Sequence, residues 1–525
     1  MPRLNGMGYP TLRSVAPERV RASATTCLAL ALAACSTASA PRRDEQTLVR
    51  LADDDIKGID PQLSNDLATM RVASEQFEGL TRLNALGQAE AGLAQSWTLS
   101  PDGLAWTFSL RPRLTFSDGA LITARNFETG FNRLMDPETA SPLRELVSGI
   151  ARIDAITDTM VRVVLDRPVP HLPEILAHPA LAALPLHRAH WADERPVVAS
   201  GAYRVQDWTL NDHVRLDRNP AWHDPPAKIP RVEWRPVNDS LTGMRSFLAG
   251  EADSAGDFPA SRLSSLRTRL GQQVRLAPYR GSYYFVFNTR KPPFNDARVR
   301  KALSLAVDRN WLAKSLIATG VQATDSVVPA QFYTLCPQAV APPPLPEEAR
   351  IARARTLLAA AGFGPGRPLR FAIRFNSDTD HKRTALALAA MWAPLGVKAE
   401  LLNSEASLHF ASLRRGDFDL ARSGWIGDVS APENFLSIHR SRAGPANYAG
   451  YANADFDAQL AHAEAETNPA KRACAMAKAE RIMLADMPVL PLWTYVSKSL
   501  VSERVGGWQD NLANAHPSRT LWLKR

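Results

Sequence analysis

From Leu369 onward the apolar positions of the chain follow two rhythms. Short apolar runs at 369–375, 397–402 and 418–421 alternate with stretches of helical period over 380–393 and up to Arg415. Strand, helix, strand, helix, strand predicts a mainly parallel sheet with covering helices, the first helix being stopped by Pro394. The third run reads as a buried strand that enters a loop bounded by Gly424 and Gly427, with Asp428 at its end. Glycines there allow close backbone approach, and open α/β sheets place ligands at the carboxyl ends of their strands. Asp428 is therefore the main candidate for a ligand-binding residue. Two helices follow at about 454–465 and 469–485, and the run 489–495 brings the chain back.

Upstream, a strand over 46–52 precedes a helix from Asn65 in which Leu67, Met70, Val72 and Phe77 recur at roughly helical spacing. Short strands at 96–99, 106–110 and 161–170 flank a helix that Thr123 can cap. A hairpin-like section around 201–205 and 219–222 is followed by a helix opened by Asp239. Tyr283 to Asn288 forms an aromatic strand, and Asn295 can cap a helix with Val299, Leu303 and Val307 on one face, while Gly320 can end the next. Pro342 to Pro344 read as a surface break. If Tyr495 returns beside Tyr284, the first lobe is discontinuous and two strands form a hinge about which rigid lobes can close.

A chain of 525 residues is too long for one core, and 45% apolar with 22% charged residues is an ordinary globular balance. The net charge of +9 falls to about +6 once residues 1–34 are set aside, and the arginines are scattered, which argues against a nucleic-acid partner. The apolar stretch 24–34 is too short to span a bilayer and suits a signal peptide. Its end, Leu32-Ala33-Ala34-Cys35, matches a lipobox that would make Cys35 the lipidated first residue; a cut after Ala40 competes with it. Of the four cysteines, Cys336 and Cys474 then remain, far apart and without metal-ligand spacing, and they read as two unpaired small core residues rather than a disulfide.

The wording of several segments resembles a known family. Phe418-Asp419-Leu420-Ala421-Arg422, Gly424-Trp425, Asp428 and Pro432, with Trp106-Thr107-Phe108 and Leu110-Arg111, Phe116-Ser117-Asp118-Gly119, Gly201-Ala202-Tyr203 and Asn219-Pro220, are similar to oligopeptide-binding proteins of bacterial import systems, members of solute-binding protein family five. The resemblance covers almost all of the chain after the signal peptide. It implies a two-lobed α/β periplasmic-binding-protein fold of type II, in three parts with an extra domain. The expected boundaries are a signal peptide at 1–34, lobe I at 44–76 and 185–280 with a return at 497–525, the extra domain at 77–184 and lobe II at 281–496. It also implies that Asp428 holds the free amino terminus of a peptide, that main-chain groups of Gly424 and Ile426 pair with it, and that Arg422 and His381 meet its carboxylate. Enteric relatives carry a disulfide at positions matching Gly281 and Ile426, which this chain lacks, and a large Trp where Ala406 stands, which implies a wider pocket.

Each candidate has a plainer alternative. Asp428 can be a turn cap before Pro432, Arg422 a surface ion pair and His381 a solvated side chain, while Tyr284, Tyr495 and Trp425 serve as aromatic walls or as core. No Gly-x-Ser-x-Gly, His-Glu-x-x-His or phosphate-cradling glycine motif occurs, so the expectation is binding rather than catalysis, with a secreted hydrolase the weakest alternative. The expected partners are a short peptide and an inner-membrane ABC permease, with no cofactor or metal, the protein acting as a monomer in the periplasm or cell envelope under a lipid anchor. The competing ligands are other small solutes: a murein peptide, glutathione, a metal chelate or haem.

Overall fold

The structure, a computed structural model, describes residues 45–336 and 345–524. The signal peptide, the lipobox with Cys35 and the run Pro342 to Pro344 lie outside the described residues.

The chain enters through β1 (Thr47–Ala52), all six of whose residues are buried, and helix α1 (Leu67–Gln76), whose Asp66 side chain accepts from the Thr69 N–H. A four-stranded antiparallel sheet follows, made of β2 (Ala94–Leu99), β3 (Ala105–Leu110), β4 (Ile150–Thr157) and β5 (Met160–Leu165) in the order β2-β3-β5-β4. Its inner face packs on α2 (Ala124–Met135) through Phe127, Phe131 and Leu134. Thr123 does begin that helix, its N–H donating to Asn126 Oδ1 at 2.8 Å.

The chain then returns to the main sheet through β6 (Tyr203–Thr209), β7 (His213–Arg218), β8 (Arg231–Pro236) and β9 (Ser254–Ala255). The long strand β10 (Val274–Phe287) crosses to the second half, where β11 (Leu369–Asn376), β12 (Val397–Ser404) and β13 (Leu420–Ile426) are joined by α3 (Thr379–Trp392) and α4 (Ala406–Arg415). A second long strand, β14 (Val489–Val501), crosses back. Among the described residues the main sheet has 11 strands, ordered β12-β11-β13-β10-β14-β9-β1-β8-β7-β6, with Gln322–Ala323 paired to β14. β11 lies parallel to both β12 and β13, as the alternation predicts, whereas β10 is antiparallel to β13 and β14. Phe285 and Phe287 of β10, Ile373 of β11 and Trp392 of α3 share one core.

Five expectations need correction. β10 starts at Val274, well before the aromatic run, because Pro278 interrupts its reading while the register to β14 merely shifts between Pro278 and Ser282. β13 does not end at Ala421 but runs through Gly424 to Ile426. The helix near 297 is capped by Asp296, whose carboxylate accepts from the Arg298 N–H, rather than by Asn295, and the next ends at Ala318 before Gly320. Tyr495 is not beside Tyr284, which faces Pro491 across the pair; its ring lies 5.8 Å from that of Tyr283. Cys336 and Cys474 are not two unpaired core thiols: they form a disulfide with their Cα atoms 5.1 Å apart. Folding sets Cys336, three residues past a 3-10 turn ending at Tyr333, against the 469–486 helix that carries Cys474, a proximity hidden by a separation of 138 residues.

Candidate functional site

Strand β13 has two unlike edges. One pairs with β10 along its whole length, from Leu420 opposite Phe287 to Ile426 opposite Gly281, and the other pairs with β11 only at Leu420 and Ala421. Main-chain groups along an antiparallel pair alternate in direction. The Gly427 N–H donates to Arg280 O at 2.8 Å, and His409 Nε2 donates to Arg422 O at 2.9 Å from the far side. Residues 423, 425 and 427 therefore point their main chain toward β10, while Gly424 and Ile426 point theirs the other way, along an edge on which no strand is paired among the described residues. Such an edge is a template for an added extended segment. Burial pushes the His409 imidazole down to about 4, so it stays neutral in this role.

Two glycines of this pair are required by close contact. A Cβ on Gly424 would lie 2.9 Å from both Ser282 O and Tyr495 Oη, and one on Gly281 would lie 2.5 Å from Ile426 Cδ1. Gly281 and Ile426 thus face each other across the pair, the isoleucine side chain filling the space beside the glycine.

Asp428 follows two residues after the end of β13 and lines a cavity of about 1350 Å³, together with Tyr284, Trp425, Ile426, Gly427 and Asn434. The loop is held from behind, since Val429 and Ala431 pack into the core of the four-stranded sheet beside Leu165 and Val169. Its polar groups are tied by residues the sequence reading did not single out. Asn434 Oδ1 accepts from the Asp428 N–H at 2.9 Å and from Trp425 Nε1 at 3.1 Å. Arg280 Nη2 donates to Asp428 O at 2.7 Å while its Nη1 meets Glu174 at 3.2 Å. The Asp428 carboxylate receives only a 3.4 Å bond from Asn434 Nδ2, and no cation stands within ion-pair distance of it among the described residues. Asp428 is exposed to the cleft, yet desolvation by the protein packed around it raises the carboxyl pKa above its ordinary value, against the smaller opposing effects of Asn434 and Arg280.

The remaining candidates form a separate cluster that does not line this cavity. Arg422 Nη2 donates to Tyr495 Oη at 2.8 Å and Nη1 to Asn376 Oδ1 at 3.3 Å, with the guanidinium 4.9 Å from the Tyr283 ring centre. His381 Nδ1 lies 3.3 Å from Tyr283 Oη, and Tyr283 stacks on Trp493 at 4.2 Å. Burial, then the neighbouring Arg422, hold the His381 imidazole well below its ordinary pKa. Arg422, His381 and Tyr495 are thus brought together beside β10 and β14, with Arg422 Nε buried and without a hydrogen-bond partner. Ala406 is exposed at the start of α4, away from the cavity, whereas Asn65, Asp66 and Leu67 before and in α1 line it. In the cavity wall, Arg167 Nε stands 3.5 Å from Glu464, joining the segment after β5 to the helix Ala454–Ala465.

Among the described residues no group of three His, Cys, Asp or Glu could hold a metal ion, and no helix is long and apolar enough to cross a membrane. What the site offers is a strand edge, a carboxylate without a cation and a large open cleft. Comparison with known proteins agrees in kind. The model of the bacterial extracellular solute-binding proteins, family 5 (middle region), matches residues 88–447. The periplasmic oligopeptide-binding protein OppA of Salmonella typhimurium is 32% identical over 510 residues, covering 92% of this chain and 93% of that protein. The periplasmic murein peptide-binding protein MppA of Escherichia coli is 29% identical, covering 95% and 98%. The crystal structure of Haemophilus influenzae OppA in complex with RPPGFSPFR superposes with a TM-score of 0.84 at 28% identity, over 91% of this chain and 99% of that one. With the family model spanning more than half of its length, the chain belongs to the bacterial extracellular solute-binding proteins of family 5, two-lobed proteins that bind rather than transform their ligands.

Proposed function

We propose that this protein captures short peptides between two lobes and delivers them to an ABC permease. The observation that carries this reading is the Asp428 carboxylate, which faces a large open cleft, has no cationic partner among the described residues and sits just beyond a strand with an open edge. A peptide amino terminus supplies the missing cation through a charge-assisted bond, and its main chain supplies the missing strand along Gly424 and Ile426. Recognition through main-chain groups leaves side chains free to vary. Trp425 and Tyr284 wall the same cavity, while Arg422, His381 and Tyr495 reach a ligand carboxylate only once Arg422 has left Tyr495.

The lobes meet along β10 and β14, so 281–496 closes as one body on 44–280 and 497–525, with 77–184 as the extra domain. The periplasmic relatives and the Cys336–Cys474 disulfide, a bond that persists in oxidising compartments, favour a location outside the cytoplasm. We place Cys35 as the lipid attachment point of a monomeric receptor; Cys35→Ser then moves the protein from the membrane to the soluble fraction, and unchanged fractionation contradicts the anchor. Ligand class is tested by thermal shift on the mature protein. A mixture of tri- to pentapeptides raises the melting temperature, and further with the logarithm of concentration above the dissociation constant, whereas free amino acids leave it unchanged. A shift with glutathione or a haem, and none with peptides, would replace this reading with that of a receptor for another small solute.

A further inference from the structure

The cavity that Asp428 lines carries one more unbalanced group of charges. Most of its ionic residues pair off, as Arg50 does with Glu75 at 3.3 Å, Arg280 with Glu174 at 3.2 Å and Arg472 with Glu433. Arg144, Arg414 and Arg442 also line it, and none of the three has a carboxylate within 4.0 Å among the described residues. They come from separate parts of the chain: Arg144 from the loop between α2 and β4, Arg414 from the last turn of α4 and Arg442 from the loop after the helical segment 433–439 that follows β13.

Their donors are largely unused. Arg144 gives Nη2 to Met135 O at 2.6 Å, but its Nε is buried without a partner. Arg414 lies beside the Tyr448 hydroxyl. Glu145 shares the wall and lies within electrostatic reach of Arg442, yet burial raises its carboxyl pKa, so it offsets at most one of the three cations. Arg414 and Arg442 are exposed to the cleft and Arg144 partly so, and their guanidinium groups are planar donors matched to carboxylates. The Arg422 and His381 cluster does not line this cavity and brings no carboxylate to it.

We infer that Arg144, Arg414 and Arg442 form a carboxylate-binding wall, so that the preferred ligands are peptides whose amino end reaches Asp428 and which present a carboxylate farther along the cavity. The carboxylate is either an acidic side chain or the peptide's own terminus, and the wall closes around it when the lobes close, because Arg144 belongs to 77–184 and Arg414 and Arg442 to 281–496. This rests on the peptide reading above. It makes the cavity dipolar and fixes the direction in which a peptide lies.

The test is calorimetric titration of the mature protein with three matched tetrapeptides, all with free amino ends: neutral side chains with a free carboxyl terminus, the same peptide carboxy-amidated, and an amidated peptide carrying Glu at its fourth position. The neutral amide is expected to bind about tenfold more weakly than at least one of the acidic peptides. A gain confined to the free acid names the terminus as the source, and a gain confined to the Glu peptide names the side chain. In the triple variant Arg144→Gln, Arg414→Gln, Arg442→Gln all three peptides bind alike. If that variant does not fold, the wild-type advantage itself must shrink as salt rises from low to about 0.5 M, as charge pairing requires. Equal affinity for all three peptides in the wild-type protein, or an advantage that survives the triple substitution, overturns the wall while leaving peptide binding intact; no binding of any peptide overturns both.

Discussion

Asp428→Asn lowers the affinity for a peptide with a free amino terminus by well over tenfold, and it raises the melting temperature of the ligand-free protein. Both effects come from one carboxylate. Truncating one partner of a desolvated charge pair typically costs about 2–5 kcal/mol, because the other charge is left buried and unpaired. In the free protein the Asp428 pKa is raised by the surroundings of the cavity. A carboxyl whose folded pKa exceeds its unfolded value contributes stability only below the unfolded pKa, and that contribution is lost as pH rises through the folded one. At neutral pH the ionised Asp428 therefore opposes folding, and removing its charge relieves the protein. Binding an ammonium reverses the balance by favouring the ionised form, so affinity falls as pH drops toward the raised pKa, above the ordinary aspartate value of about 3.9. Calorimetric titration of both proteins with one tetrapeptide, beside melting curves without ligand, checks the pair of effects. Unchanged affinity would remove Asp428 from the site, and a lowered melting temperature would mean that its charge stabilises the empty protein.

The second large effect concerns the disulfide. Joining Cys336 to Cys474 closes a span of 138 residues, and the chain-entropy model values a loop of that length at about 5 kcal/mol. That is comparable with the whole stability of a marginal domain, which lies near 5–15 kcal/mol. The double variant Cys336→Ala, Cys474→Ala is expected to lose about 3–5 kcal/mol in urea unfolding, and reductant should lower the wild-type midpoint toward the same value. Because neither cysteine lines the cavity, peptide affinity at low denaturant stays unchanged. Identical midpoints for the oxidised protein and the variant would contradict this account.

Much of this was legible before any coordinates. The change to alternating strand and helix after Leu369 gave β11, α3, β12 and α4 nearly residue for residue, because each carries its own period and its own cap or stop. An acid just past such a strand pointed to Asp428, and it lies on the cavity. Glycine misled the reading of β13: Gly424 looks like a loop residue, but it is a strand residue kept small because Tyr495 Oη approaches it. Pro278 hid the first half of β10 for the complementary reason, since a proline can sit in a strand where the register slips. Arg280 and Asn434, which hold the Asp428 loop, left no periodic trace because their partners are set by tertiary contact alone. The same holds for the disulfide, whose two cysteines share no local pattern.

The central claim, that a free amino terminus is what Asp428 holds, is tested most directly by titrating the mature protein with a mixture of tri- to pentapeptides and, separately, with the same mixture amino-acetylated. Heat of binding with the free peptides and none with the blocked ones is the predicted result. Equal heats with both mixtures would contradict it, since an acetylated terminus carries no charge for Asp428 to pair.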